Sequence, residues 1–127
     1  MRIHWHKAIH TGRALLAALA AALIGPAYGA DLGVGANEIV IGQNITLQGG
    51  KNTYGVAASE GVKAYIDSVN ASGGVNGRRI VLRVLDDDNK ASNAEANARK
   101  LVLDGVFALF GSIEGGPSTA VLKVAAE

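Results

Sequence analysis

The sequence predicts an α/β fold in which a parallel sheet carries helices on both faces, and three observations lead to this prediction. Strand-length runs of β-branched residues alternate with segments of helical periodicity, in the order β-α-β-α-β-α, from residue 38 to residue 127. The connections are short and contain Gly, Asn or Asp, which favour turns. Apolar residues make up 49% and charged residues 18% of the sequence, which is typical of a globular domain. Alternating strands and helices joined in this way favour parallel strands with helices packed on both faces.

Residues 1–29 are predicted to be a secretory signal peptide that precedes the fold. Three basic residues come before an apolar run at 14–25, and small residues follow it. This order is typical of a signal peptide, and the run is shorter than the roughly 20 residues that a membrane anchor, the main alternative, requires. Cleavage is expected after Gly29, because cleavage after Ala30 would place the bulky Tyr28 at a position that favours small residues.

The first strand and the first helix have clear sequence signals. Residues 38–46 are rich in Ile and Val and have the length of a buried strand. The first helix is expected from Thr53 to about residue 70, because its apolar and small residues recur at helical spacing. This predicted stripe consists of Ala57, Gly61, Ala64, Tyr65 and Val69. A Gly-Gly pair at 73–74 and an Asn-Gly turn at 76–77 are expected to end the helix.

The second and third strands are each expected to lead into a helix. The second strand, residues 79–85, is followed by an acidic run at 86–89 whose solvated side chains could cap the next helix. That helix is expected to end at Gly105, and its apolar stripe consists of Ala91, Ala94, Ala98, Leu101 and Val102. A short third strand is expected at 106–110. The third helix is expected to begin at Pro117, since proline suits a first helical position, and to pack through Ala120, Val121, Val124 and Ala125.

Charge and composition exclude several functions. The signal segment holds three of the 12 basic residues and no acidic residue, so the remaining chain has a net charge of −2. All three His residues lie in that segment and Cys is absent, so residues 30–127 lack the commonest general base and the best nucleophile. Aromatic residues are only 5% and no basic stripe occurs, which argues against a nucleic-acid partner. The acidic run lacks the EF-hand pattern, so no metal is expected. The glycines at 33–35 and 49–50 match neither the dinucleotide-binding nor the phosphate-loop pattern, so no cofactor is expected.

A ligand site is expected beyond the carboxyl ends of the strands, where open parallel sheets bind their ligands. The loop after the third strand is the strongest candidate, because glycines allow close backbone approach and a helix N-terminus attracts a carboxylate or another anion. An ordinary strand-to-helix turn is the alternative. Tyr54, at the start of the first helix, is either a lid over a ligand or a plain surface aromatic residue.

Several segments resemble one family. The most specific is residues 69–78, V-N-A-S-G-G-V-N-G-R, and weaker matches occur in the same order at 38–42, 54–55, 86–87, 97–102 and 106–111. The chain resembles, from about Glu38 to its last residue, the Leu/Ile/Val-binding type of periplasmic substrate-binding protein. Such proteins serve ABC importers of branched-chain amino acids, amides and related small acids.

The resemblance implies that residues 30–127 are the first part of lobe 1 of a two-lobed type I periplasmic-binding fold, which closes on its ligand. It implies no enzymatic activity, a periplasmic location after signal cleavage, and two partners: a small amino acid, amide or related carboxylate, and the membrane permease of an ABC importer. In the family, the loop after the third strand and the following helix hold the ligand carboxylate, and a Tyr at the start of the first helix faces the cleft. The matching residues are Tyr54, Ser112, Gly115, Gly116, Ser118 and Thr119.

Two departures from the family pattern leave alternatives open. The chain is much shorter than the family's, so an N-terminal fragment that ends before the hinge and lobe 2 is expected. Glu114 stands where a small or hydroxyl residue is usual. In the cleft it would repel a carboxylate and favour an amine or amide, whereas in solvent it would change nothing. The alternative functions are the ectodomain of a sensor or receptor of the same fold, a non-functional truncated remnant, or an extracytoplasmic enzyme using Ser or carboxylate chemistry.

Overall fold

The computed structural model describes residues 32–127, and in this part of the chain three parallel strands alternate with three helices. The elements are β1 (Glu38–Ile45), α1 (Thr53–Ala71), β2 (Arg79–Asp86), α2 (Ala91–Leu103), β3 (Ala108–Phe110) and α3 (Gly115–Ala125). The strand order is β2-β1-β3, with both neighbours parallel to β1. The predicted α/β class and element order are confirmed. The proposed signal peptide lies outside the described residues, among which no helix is long and apolar enough to cross a membrane.

The central strand β1 organises the sheet. It pairs with β2 along its whole length, from Glu38 opposite Arg79 to Ile45 opposite Asp86, whereas β3 pairs only with residues 41–43. One core cluster of Val40, Leu101 and Val106 lies between the sheet and α2, with Val81, Leu85 and Leu109 packed around it. Gly42 allows this close packing, because an added Cβ would lie only 3.0 Å from a methyl carbon of Leu101.

Helices cover both faces of the sheet, as predicted. Successive side chains of a strand point to opposite faces. Gly42 faces Leu101 of α2, and α3 packs against α2 on this same side. The neighbouring residue Ile41 instead lines an apolar groove beside α1, together with Gly61, Val62, Tyr65, Ile66, Ile80 and Phe110. One helix therefore lies on the second face, and part of the β1–β3 surface there stays open.

The buried side of α1 differs from the predicted stripe. Its buried residues are Gly55 and Ile66, whereas Tyr65 is 72% exposed. Ala57, Gly61 and Ala64 are also exposed, so the predicted stripe is wrong at four of its five positions. The cause is a close contact at the helix start: an added Cβ at Gly55 would overlap the carbonyl oxygen of Thr46. This contact fixes the rotation of α1, and Ile66, about three turns later, then faces the sheet.

Several predicted boundaries and caps also need correction. β3 begins at Ala108, although the backbone N–H of Phe107 already donates to the Val40 carbonyl at 2.7 Å. α3 begins at Gly115, and Pro117 is its third residue, a position where a missing N–H costs no intrahelical hydrogen bond. The acidic run does not cap α2, because the N-cap position of α2 is Lys90 and no side chain caps it. The turn after α1 is confirmed, with Asn76 and Gly77 both at positive φ.

Candidate functional site

The side chain of Asn44 links the carboxyl ends of the strands. It is buried near the end of β1, and its Nδ2 donates to Oδ2 of Asp87 at 2.7 Å and to Oγ of Ser112 at 3.4 Å. Its Oδ1 accepts from Nδ2 of Asn97 on α2 at 2.9 Å. Asp87 follows β2 and Ser112 follows β3, so one buried amide joins both outer loops to the central strand and to α2.

Asp87 is fully buried, which contradicts the expectation of a solvated acidic run. Its Oδ1 accepts from Oγ1 of Thr46 at 2.6 Å and from the backbone N–H of Asn89 at 2.9 Å, in addition to the bond from Asn44 to Oδ2. Within residues 32–127 it belongs to no ion pair. A buried carboxylate without a cation needs several donors, and these three hydrogen bonds supply them.

Asp86 holds the loop between β1 and α1. Its carboxylate accepts backbone N–H bonds from Leu47 at 2.8 Å, Gln48 at 3.1 Å, Gly49 at 2.9 Å and Asp88 at 2.9 Å. Partial burial raises its pKa, but these four hydrogen bonds together lower it further, to about 2. The loop contains a left-handed backbone at Gln48 and Gly49, and the carboxylate stabilises this turn by accepting the N–H groups that converge on it.

Asn52 brings the N-termini of α1 and α3 together. Its Oδ1 accepts from the backbone N–H of Gly55 at 2.9 Å, so it is the N-cap of α1. Its Nδ2 lies 3.5 Å from Oε1 of Glu114, the residue that precedes α3. Tyr54 is the second residue of α1 and is 83% exposed. Tyr54 and Glu114 therefore lie at the same edge of the sheet, joined through Asn52.

The N-terminus of α3 presents an accessible backbone. Gly115 and Gly116 are exposed, and an added Cβ at either would meet open space. The first N–H groups of a helix have no intrahelical partner and carry its partial positive charge. The half-buried Ser118 donates its backbone N–H to the carbonyl of Glu114, and Thr119 Oγ1 donates to the carbonyl of Gly115 at 2.9 Å. The arrangement suits a carboxylate or carbonyl oxygen more than a cation.

The sequence analysis did not single out the polar residues that support this edge. Gln43 is only 1% exposed, and its Nε2 would lie 3.0 Å from a Cβ added at Gly111. Its Oε1 has no hydrogen-bond partner among residues 32–127. Gln43 and Asn44 are polar residues in the last part of β1, and Thr46 follows the strand directly. These polar residues in an apolar run could have indicated a buried polar network, because buried polar side chains are normally hydrogen-bonded to a partner.

Over residues 32–127, His, Cys, Asp and Glu side chains form no group of three that could hold an ion.

Comparison with known proteins identifies the family. The sequence model of the periplasmic binding protein family matches residues 38–127. The chain belongs to this family. The match covers every strand and helix described above, so the resemblance found in the sequence is confirmed.

The relatives and structural neighbours agree on this assignment. Over 90 residues the chain is 31% identical to the Leu/Ile/Val-binding protein BraC3 of Rhizobium johnstonii, which covers 71% of this chain and 24% of the relative. Among solved structures it is similar to the branched-chain amino acid transporter substrate-binding protein LivJ of Streptococcus pneumoniae, in complex with isoleucine. The TM-score is 0.67 and the sequence identity 28%, and the match covers 71% of this chain and 26% of that one. It is also similar to a fatty acid ABC transporter substrate-binding protein of Thermomonospora curvata, with a TM-score of 0.67, 26% identity and coverage of 73% and 24%. The chain thus spans about a quarter of the length of the curated relatives it matches.

Proposed function

We propose that this chain contributes the first part of a ligand-binding lobe that captures a small amino acid, amide or related carboxylate, without chemical turnover. The observation that carries the proposal is the open N-terminus of α3. Exposed glycines at 115 and 116 leave backbone N–H groups accessible, and the loop before them is held by the Asn44 network. Family membership supports binding as the activity. Isoleucine, which is bound in one structural neighbour, and fatty acids, for which the other is named, both contain a carboxyl group.

The proposed ligand contacts differ in the kind of contact they could make. They are Tyr54, Ser112, Glu114, Gly115, Gly116, Ser118 and Thr119. The backbone N–H groups of Gly115 and Gly116 suit an anionic or carbonyl oxygen. Ser112 and Ser118 are half-buried and carry hydroxyl groups, and the exposed ring of Tyr54 could cover an apolar ligand side chain. Thr119 would contribute through its oxygen as an acceptor, because its proton is used by the Gly115 carbonyl.

Nuclear magnetic resonance titration of the ¹⁵N-labelled chain tests this proposal. Isoleucine, isoleucinamide and 3-methylpentanoate are added to about 10 mM, which detects a binding free energy near −4 kcal/mol. Saturable shifts of the Gly115 and Gly116 amide signals are expected. Ser112→Ala should weaken them, whereas Ser68→Ala, on the exposed side of α1, should not. Shifts that stay linear and spread over the whole chain would show that this edge binds none of these ligands.

The proposed place of action is the periplasm, and the proposed partner is the membrane permease of an ABC importer. Removal of residues 1–29 predicts that the mature chain begins at Ala30, which N-terminal sequencing of the exported protein would determine. Delivery predicts that cells expressing the complete protein with its permease take up labelled ligand faster than cells lacking the binding protein. Equal uptake in the two strains would refute the delivery step while leaving ligand binding intact.

A further inference from the structure

The strand β2 forms one edge of the sheet, on the far side of β1 from β3. The backbone N–H groups of Arg79 and Asp87 donate to the carbonyls of Asn37 and Ile45, on the side of β1. Backbone groups point to alternate sides along a strand, so those of the even-numbered residues 80–86 point away from the sheet. Such outward groups can pair with a further strand.

Two side chains close the ends of this edge. The amide of Asn70 pairs with Ile80 as a neighbouring strand would: its Nδ2 donates to the Ile80 carbonyl at 2.9 Å, and its Oδ1 accepts from the Ile80 N–H at 2.7 Å. At the other end, the Asp86 carbonyl accepts from Nδ2 of Asn97 at 3.0 Å. A partner strand could therefore form a full set of hydrogen bonds only between these two ends.

The backbone of Leu82 and Val84, here called the open edge, lies between the closed ends. Within residues 32–127 no hydrogen bond reaches its outward N–H and C=O groups. The two side chains line a groove between β2 and α1, together with Ile66 and Ile80. Free backbone groups beside a groove for alternate side chains are what an extended peptide requires to add to a sheet.

Positive side chains flank the open edge on the other face of β2. Arg79 and Arg83 lie on the same face of the strand as Val81 and Leu85, which pack against the core beside α2. The side chain of Arg83 is 46% exposed, and its ion pair with Asp104 is long, at 3.8 Å. Arg79 is exposed and forms no ion pair within residues 32–127. A partner strand would carry every second side chain on this positive face.

A second copy of this chain is a poor occupant of the open edge. Antiparallel pairing of two open edges would place Leu82 of each copy opposite Val84 of the other, and would therefore place the two Arg83 side chains opposite each other. Like charges in directly opposed positions destabilise a strand pair. The charges instead favour a strand with carboxylates on the arginine face and apolar side chains over the groove.

We propose that the open edge of β2 binds an extended protein segment in which apolar and acidic residues alternate, and that this segment adds to the sheet as a further strand. Its apolar side chains lie in the groove beside α1, and its carboxylates face Arg79 and Arg83. The inference is independent of the proposed function, because the open edge lies on the opposite side of β1 from the loop after β3.

A nuclear magnetic resonance titration of the purified ¹⁵N-labelled chain with a capped peptide of sequence T-V-E-V-E-V-T tests this proposal. Saturable shifts of the Leu82 and Val84 amide signals are expected. The peptide should bind at least about fivefold more tightly than its counterpart with lysine in place of each glutamate. No saturable shift of these two signals at about 10 mM peptide would overturn the inference.

Two double variants test the role of the arginines. Arg79→Gln with Arg83→Gln should reduce the preference for the acidic peptide below about twofold. Lys51→Gln with Lys123→Gln removes the same charge at exposed positions elsewhere and should leave the preference unchanged. The dispersion of the amide signals reports whether each variant is folded. A preference that survives the loss of both arginines would refute the proposed charge recognition.

Methylation of the peptide backbone separates strand addition from simple charge attraction. An added strand presents only every second N–H group to its neighbour. A methyl group on the nitrogen of the central valine and one on the nitrogen of the preceding glutamate should therefore act unequally: one abolishes binding, and the other changes it by less than about twofold. Equal effects of the two methyl groups would overturn the inference. Shifts at Leu82 and Val84 that depend on the concentration of the chain alone would do so too, because a second copy would then be the occupant.

Discussion

Replacing Asp86 by asparagine should destabilise the chain at neutral pH and should have less effect in acid. The four backbone N–H groups that converge on this carboxylate lower its pKa from 3.8 to about 2, despite the opposing effect of partial burial. A difference of that size corresponds to at most about 2.4 kcal/mol of stability. Asp86 is exposed, so solvent screening reduces the expected contribution to about 1 kcal/mol.

Asparagine would lose more than the charge. In the native loop, Oδ1 of Asp86 accepts from Leu47, Gln48 and Asp88, and Oδ2 accepts from Gly49. An Asn side chain has one oxygen, so its NH₂ group would face a backbone N–H, and two donors cannot bond to each other. With this second effect we expect a loss of about 1–2 kcal/mol at pH 7.

The pH dependence gives the sharper test. Because the pKa of Asp86 is lowered in the folded state, its contribution is present above pH 3.8 and is lost as the pH falls towards about 2. Urea unfolding followed by circular dichroism at several pH values between 7 and 2 should show the difference between the unaltered chain and Asp86→Asn shrinking over this interval. Asp67→Asn removes one partner of an exposed ion pair with Lys63 and should cost no more than about 0.5 kcal/mol. An Asp86→Asn penalty that is below that of the control, or that is constant from pH 7 to pH 2, would refute the reasoning.

Three further substitutions test the packing and the buried network. Gly55→Ala should lower the free energy of unfolding by about 1–3 kcal/mol, because the added Cβ overlaps the Thr46 carbonyl. In Gly61→Ala the added Cβ points into open space, so this control should raise the stability of α1. Equal melting temperatures of the two variants would contradict this reasoning. Leu101→Ala should cost about 2–5 kcal/mol in urea unfolding, whereas Leu103→Ala, at a side chain 86% exposed, should stay within about 0.5 kcal/mol. Asn44→Leu should lower the free energy of unfolding by about 1–3 kcal/mol and should speed hydrogen exchange of the Ser112 amide, because it removes the hydrogen-bond donor of Asp87 and Ser112. Unchanged exchange at Ser112 would show that Asn44 does not hold the loop after β3.

The sequence predicts the order of the elements well because that order depends on local periodicity. The Gly-Gly and Asn-Gly turns end α1, and they need only the positive φ values that glycine and asparagine readily adopt. In α2 the stripe is correct at Ala94, Ala98 and Leu101, since three buried apolar residues at helical spacing define one face. Such features are encoded within a few residues of each other.

Features that depend on distant contacts were not predicted. The rotation of α1 follows from Gly55 against the carbonyl of Thr46, a contact between two elements that periodicity within one helix does not report. Local sequence predicts that the acidic run caps α2, yet Asp86 accepts hydrogen bonds from the loop after β1, and Asp87 is buried and hydrogen-bonded to Asn44. In each case the partner lies more than 30 residues away, or in another element, so local propensity gives no information about it.

The two hydrogen-bond networks have a consequence for ligand binding. Asp86 holds the loop after β1, while Asn44 ties the loops after β2 and β3 to the sheet, and neither network requires a ligand. A site whose loops are already ordered loses less conformational entropy when a ligand binds. The cost of burying Asn44 and Thr46 is then offset by their hydrogen bonds to Asp87 in the free protein. Tyr54 and the start of α3 remain exposed at this fixed edge, so we expect ligand-induced shifts to be confined to them and to leave the amides of Asn44 and Asp87 unchanged.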